Sequence, residues 1–332
     1  MKSLVTGGAG FIGAHVTNKL IELGHTVVVL DDLSGGFAEN INPKAKFVEG
    51  SINDYPLLEK LFAAEKFDYV YHLAAYAAEG LSHFIKRFNY NNNVIGSINL
   101  INQAVIHKIK CFVFTSSIAV YGKGQLPMKE DMIPMPEDPY GIAKYSVEMD
   151  LKNTHEMFGL NYIIFRPHNV YGEYQNLGDR YRNVVGIFMN QLMQGKPLTI
   201  FGDGTQTRAF SYIADVAPCI AESVNNPKAV NQVFNIGGDK DYSVKELATE
   251  VMKVMKLEQP IRFLEARNEV QHAYSDHSKL KSVFSINDNN FTSLSSGLQK
   301  MVTWAKTAGV KKRKKFENIE ITEKLPKIWL ED

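Results

Sequence analysis

Cysteine is almost absent from this chain: Cys111 and Cys219 are two residues among 332. They have neither the spacing of a metal cluster nor the density of a disulfide scaffold. Both are expected to behave as small buried hydrophobes, and no metal site is expected. No apolar run approaches the ~20 residues needed to cross a bilayer. The first residues enter a strand-like run at Lys2 to Thr6 and then a glycine-rich turn, which leaves no room for a basic leader, an apolar core and a cleavage signal. These absences point to a soluble cytoplasmic protein with no membrane partner. Charge of one sign is lacking too. A formal net charge of +1 gives no global field to recruit nucleic acid, and the basic stretch Lys311 to Lys315 reads as a solvated surface tail. Nothing repeats at a fixed period and no low-complexity linker divides the chain, so any lobes are packed rather than tethered.

What is present is an ordinary globular balance, 45% hydrophobic and 22% charged, enough for a large core. Short apolar runs recur at Ser3 to Thr6, Thr26 to Leu30, Lys46 to Glu49, Tyr69 to Leu73, Cys111 to Thr115 and Tyr162 to Arg166. Between them, segments such as Phe11 to Leu23 and Asn92 to His107 place apolar residues three and four apart. Strands and helices in that alternation give an α/β fold, a doubly wound parallel Rossmann sheet. After Arg166 the rhythm breaks into shorter elements, including Val184 to Gln194, Leu198 to Phe201 and Ser243 to Met255. These form a smaller C-terminal α/β substrate lobe. The expected division is residues 1–165 with about 207–232 for the cofactor, 166–206 and 233–320 for the substrate, and a tail at 321–332.

Gly7, Gly10 and Gly13 follow the first strand and open the first helix in the G-x-x-G-x-x-G spacing of short-chain dehydrogenases/reductases. A helix amino terminus with close backbone approach suits a pyrophosphate. At the end of the second strand stands Asp31, placed to accept hydrogen bonds from a ribose, with Asp32 beside it. Their charge would repel a 2′-phosphate, so NAD is expected rather than NADP. Asp32 has the alternative of capping the turn into Ser34-Gly35-Gly36.

Tyr140 and Lys144 lie one turn apart on a helix expected from Pro139 to about Glu156. A phenol is a poor base at its ordinary pKa near ~10. A lysine and a positive nicotinamide would lower it. Upstream, the fifth strand ends in Thr115-Ser116-Ser117. Ser117 is the hydroxyl expected to hold a reacting oxygen, and Ser116 the one expected to satisfy backbone groups.

Taken in order, the glycine turn, Asp31, His72-Leu73-Ala74-Ala75, Asn93-Val94-Ile95-Gly96, Ser117, Tyr140, Lys144 and Arg166-Pro167-His168-Asn169-Val170-Tyr171-Gly172 resemble the NAD-dependent epimerase/dehydratase family. In the second lobe Gly202-Asp203-Gly204, Arg208 and Asp215 extend the resemblance, which runs from Met1 to about Lys281. It implies a cofactor site that also includes Phe11, Ile12, Ser51, Ile52, Leu73, Ala74, Ala75, Asn93 and Pro167. It implies a nucleotide-sugar held by Ser117, Tyr140, Ala77, Glu79, Asn169, Arg208 and Arg267, and a homodimer formed through the helices bearing Asn93 and Tyr140. Two departures stand out: Ser51 where relatives have an aspartate, and Arg267 shifted one position within Ala266-Arg267-Asn268-Glu269.

Where related dehydratases carry an acid pair after the serine, this chain has Ile118 and Ala119, neither able to exchange a proton. The expected activity is therefore 4-epimerisation of a UDP-hexose by transient C4 oxidation. The alternatives are a dehydrogenase, 3,5-epimerase or reductase on another nucleotide-sugar such as a GDP-sugar, with His83 or His168 as extra acid/base groups, and an NAD-binding protein without catalysis. Glu79 would repel a uronate if it faces the sugar; the alternative is a solvated loop acid. Ala273 stands where a bulky gate occurs in some relatives and would admit an N-acetylated hexosamine.

Overall fold

A computed structural model describes all residues except 125, 268–269, 288–290, 312–314 and 331–332. The expected strands form β1 (Lys2–Thr6), β2 (Thr26–Asp31), β3 (Lys46–Glu49), β4 (Tyr69–His72), β5 (Cys111–Thr115) and β6 (Tyr162–Pro167). The strand Gln232–Ile236 joins them in one seven-stranded sheet, in the order β3, β2, β1, β4, β5, β6 and then Gln232–Ile236, every pair parallel. The sequence leaves from β1 toward β3 on one side and resumes at β4 on the other. This opens a crevice at the carboxyl ends of β1 and β4.

Alternate residues of each strand feed opposite faces. Val5, Val29, Val113 and Phe165 face helix α1 (Phe11–Glu22), the Ile213–Glu222 helix and, beyond them, the Val184–Met193, Val244–Met255 and Leu294–Ala308 helices in one unbroken apolar cluster. Leu4, Val28, Val70, Phe112 and Ile164 face the Tyr55–Glu65, Gly96–Ile106 and Pro139–Phe158 helices. Cys111 is buried as expected, whereas Cys219 is half-buried; neither forms a disulfide. Among the described residues no helix is long and apolar enough to cross a membrane.

Three local expectations are corrected. The helix expected from Asn92 in fact starts at Lys86 and widens into a π-helical turn at Asn91–Ile95 before the Gly96–Ile106 helix, and Asn93 on that turn bonds the Tyr76 backbone. The basic stretch at Lys311 is not simply solvated: the Lys311 N–H donates to Asn190 Oδ1 and its carbonyl accepts from Asn190 Nδ2, while residues 312–314 lie outside the described set. Ala273 pairs with Arg208 in a short strand and is buried against Ile118, Val120, Tyr121 and Met128. It does not line the cleft and gates nothing.

Candidate active site

A single large cleft of about 1560 Å³ runs along the crevice. Pockets for one drug-sized ligand are usually ~300–1,000 Å³, so this one has room for two. Its walls bring together Gly7, Gly10, Phe11, Ile12, Gly13, Asp31, Asp32, Ile52, Leu73, Ala74, Ala75, Ala77, Glu79, Ser117, Tyr140, Lys144, Pro167, Asn169, Arg208 and Arg267. Ser51 and Asn93 are not on the wall. The Ser51 hydroxyl accepts from the Asn53 N–H. Asn93 is buried, bracing Tyr76 by accepting from its N–H (2.9 Å) and donating to its carbonyl (3.1 Å).

The glycine turn is built by steric need. Gly7 has φ +73°, and a Cβ there would meet the Ala74 nitrogen at 2.6 Å. A Cβ on Gly13 would meet the Gly7 carbonyl oxygen at 2.1 Å. Gly10 caps α1 without any side chain bonded to its first turn, which leaves those N–H groups directed at the cleft. Asp31 is 8% exposed; its two oxygens accept from the Ala9 N–H (3.0 Å) and the Leu33 N–H (2.8 Å). Burial raises its carboxyl against the pull of those N–H groups. A carboxylate has roughly four acceptor positions, so these N–H groups leave acceptor capacity to meet a ribose hydroxyl. Asp32 does cap the turn, through the Ser34 N–H at 3.0 Å. The Thr115 hydroxyl lies on the wall, buried, with no hydrogen-bond partner among the described residues. These features fit NAD.

Behind the Leu73 to Ala75 wall runs a relay that the sequence marked only as a family match. Thr6 Oγ1 lies 2.8 Å from His72 Nδ1, and His72 Nε2 lies 2.8 Å from Ser97 Oγ, which donates to the Asn93 carbonyl. Burial, with Lys144 nearby, holds His72 far below the ordinary imidazole range, so the ring is neutral.

Tyr140 sits at the start of its helix, where Asp138 caps by accepting from the Gly141 N–H at 2.9 Å. Tyr140 is 6% exposed and shares the cleft wall with the buried Ser117. Burial pushes the phenol well above its usual pKa, reinforced by Glu79 and Asp138 and opposed by Ser117 and Arg182. The expectation that Lys144 lowers it is not met in the protein alone. Lys144 Nζ donates to the Thr115 carbonyl at 2.8 Å, and it lies 4.7 Å from the centre of the Phe114 ring and 5.9 Å from that of Tyr140. Burial drives its own pKa down to about 7, against the pull of Glu148. Ser116 is also corrected: its hydroxyl donates to Glu148 Oε1 at 2.6 Å rather than to the backbone. Glu148 in turn holds Arg166 through two hydrogen bonds, and Arg166 reaches the Tyr121 hydroxyl at 2.7 Å.

On the second-lobe side, Asn169 has φ +38° and is exposed at the cleft. The Arg208 guanidinium donates to the carbonyls of Thr207, Gln271 and Val270, which fixes its plane beside the cleft. Arg267 lies 4.0 Å over the Phe201 ring; its neighbours 268 and 269 are outside the described residues. Glu79 is exposed at the cleft wall. His83 lines the cleft, but His168 does not. The latter is buried between the Ala209 carbonyl (3.0 Å) and His277 Nε2 (2.9 Å), and burial with His277 beside it lowers it to about 3. Wall residues that sequence reasoning missed include Tyr76, Arg182 and Trp329. Arg182 bonds Asp179 at 2.6 Å and stacks 5.0 Å from Tyr76. The pair of arginines in Asp179-Arg180-Tyr181-Arg182 was the available signal.

The model of the NAD dependent epimerase/dehydratase family matches residues 3–237. A UDP-glucose 4-epimerase of Mycolicibacterium smegmatis is 36% identical over 258 residues, covering 76% of this chain and 82% of that protein. Among solved structures, a UDP-glucose 4-epimerase with UDP-glucose from Thermotoga maritima superposes with a TM-score of 0.88 at 36% identity, covering 93% of this chain and 99% of that one. A UDP-glucuronic acid 4-epimerase from Bacillus cereus, in complex with UDP-glucuronic acid and NAD, gives 0.84 at 30% identity, covering 93% and 100%. With the parallel sheet, the glycine turn and the Ser117, Tyr140 and Lys144 set all in one cleft, the chain belongs to the NAD-dependent epimerase/dehydratase family.

Proposed function

We propose that this protein is a UDP-hexose 4-epimerase, and the observation that carries this reading is that Ser117, Tyr140 and Lys144 lie buried on one wall of a cleft large enough for cofactor and substrate together. The cofactor half is Gly7 to Gly13, Asp31 and Leu73 to Ala75. The substrate half is Ala77, Glu79, Asn169, Arg208 and Arg267. Residues 1–165 with about 207–232 form the cofactor domain and also reach the substrate half through Ala77, Glu79 and Arg208, while 166–206 with 233–320 form the substrate lobe. NAD, when bound, accepts the hydride from the sugar C4 and returns it.

Tyr140 takes the proton of the sugar 4-hydroxyl and later gives one back, while Ser117 holds the sugar oxygen in line. Burial keeps the phenol protonated in the protein alone, and a positive nicotinamide held in the cofactor half would favour the phenolate. Lys144, fixed on the Thr115 carbonyl, orients the floor of the site rather than bonding the phenol directly. Between the two transfers the 4-keto sugar turns over and presents its other face. Ile118 and Ala119 carry no acid or base, so neither can assist the elimination of water.

The purified protein, incubated with UDP- and GDP-hexoses without and with added NAD, is expected to yield an isomer of unchanged mass and no net NADH. A product lighter by water or by two hydrogens would overturn the reading. Exposed Ile142 (40%) and Met149 (54%), seven residues apart on one face of the Tyr140 helix, support a homodimer through that face. Sedimentation at twice the chain mass would bear it out, and a monomer at micromolar concentration would refute it.

A further inference from the structure

The last residues of the chain, beyond the matched segment 3–237, fold back over the cleft instead of trailing from it. The Glu320 and Ile321 N–H groups donate to the Phe84 carbonyl at 2.8 and 3.1 Å. The Glu320 carboxylate accepts from the Arg87 and Phe88 N–H groups, both at 2.9 Å. On the other side, the Phe316 N–H donates to the Tyr181 hydroxyl at 2.9 Å, and Arg180 Nη1 donates to the Trp329 carbonyl at 3.3 Å. One segment is thereby tied both to the loop after β4 and to the second lobe. Residues 323–329 line the cleft.

Trp329 anchors this strap. It is 4% exposed, with its ring 5.3 Å from Tyr181, 6.1 Å from Phe84 and 6.3 Å from Phe201 between centroids. The Arg267 guanidinium lies between Phe201 (4.0 Å) and Trp329 (5.8 Å). Gly80 has no side chain, and a Cβ there would come within 3.4 Å of the indole edge and 3.5 Å of Arg267. Buried aromatics gathered around a cation make a rigid wall suited to a flat, anionic ligand.

We propose that the strap 315–330, anchored by Trp329, is a wall of the substrate half of the cleft and sets affinity for the nucleotide-sugar. This rests on the functional reading above, which places Ala77, Glu79 and Arg267 on the substrate side. The strap bears on neither Ser117 nor Tyr140, so it governs binding and not the chemical step. Trp329 is a positioning residue: it fixes the Arg267 plane and closes the mouth between Gly80 and Phe201.

The chain has two tryptophans, so a Trp304→Phe protein reports Trp329 alone. Its emission is expected to change saturably with UDP. Trp329→Ala in the full chain is expected to raise KM for the nucleotide-sugar about tenfold, with kcat within about twofold and the bound NAD content unchanged. Trp329→Phe should recover most of the loss. An emission that ignores UDP while the protein epimerises, or a folded Trp329→Ala protein with unchanged KM, overturns the proposal. If UDP shifts the emission but no hexose is isomerised, the strap stands and the epimerase reading falls. Should Trp329→Ala not fold, trypsin cleavage of the unaltered protein after Lys324 and Lys327 decides. Slowing by UDP supports the strap, and a rate indifferent to saturating UDP refutes it.

Discussion

Tyr140 and Lys144 are both driven by burial toward their uncharged forms, the phenol upward and the ammonium down to about 7. Tyr140→Phe should therefore leave nucleotide-sugar binding nearly intact while lowering kcat by about 10²–10⁴-fold; single-turnover rates on protein loaded with NAD check this, and a loss of less than tenfold would remove Tyr140 from its role. For Lys144 the sign follows from where protons are held. Below about 7 both folded and unfolded chains keep the ammonium. From there to about 10.5 only the unfolded chain does, so stability rises with pH across that window. The urea-unfolding free energy of the wild type minus that of Lys144→Met should grow between pH 6.5 and 10, and a flat difference would mean that Lys144 stays charged. These two residues were legible in the sequence because a one-turn spacing places both on one helical face. Ser51 and Asn93 were legible as family positions only. Whether a side chain reaches the wall or braces it from behind depends on turns that no spacing rule encodes, such as the Asn91–Ile95 distortion.

The Pro139–Phe158 helix is pinned to the sheet by one charged contact. Glu148, fully buried, receives Arg166 Nε at 2.9 Å and Nη2 at 2.6 Å, and Arg166 is itself 1% exposed. Arg166→Met would leave the carboxylate buried and unpaired, at a cost of about 3–5 kcal/mol, measurable as a lower urea midpoint with the slope preserved. The double variant Arg166→Met with Glu148→Leu should recover part of that loss. At the other end of the crevice, Gly13→Ala would drive its methyl into the Gly7 carbonyl. The turn must then open, and purified protein is expected to carry far less bound NAD; unchanged NAD content would show that the turn yields without cost. Apart from the helix expected from Asn92, strand and helix limits were legible to within a residue or two, since periodicity of two and of 3.6 is imposed by the sheet and its covering helices. The partners of Arg166 were not, because Glu148 and Tyr121, with Asn235 behind Tyr121, meet only after four elements have packed.

At the scale of the molecule, the apolar cluster runs without a break from Val5 and Phe165 in the sheet to Leu247, Val251 and Met301 in the Val244–Met255 and Leu294–Ala308 helices. The chain should accordingly unfold in one calorimetric transition; two resolved transitions would mean that the proposed substrate lobe unfolds independently. The doubly wound sheet was legible because β-rich runs alternate with helical patterns. The return of the C-terminal segment was not, since Phe316, Ile319, Leu325, Ile328 and Trp329, which pack in one cluster, are interleaved with charged residues in no sustained helical or strand period. The Arg166 cluster carries a consequence for descent. Tyr121 donates to Asn235 at 2.8 Å, and Asn235 donates onward to the Met128 and Asp276 carbonyls. A lone replacement anywhere along this chain of donors and acceptors strands a buried charge or dipole. As lineages diverge, these positions should be inherited as a block or exchanged as a block, leaving correlated columns among positions far apart in the chain.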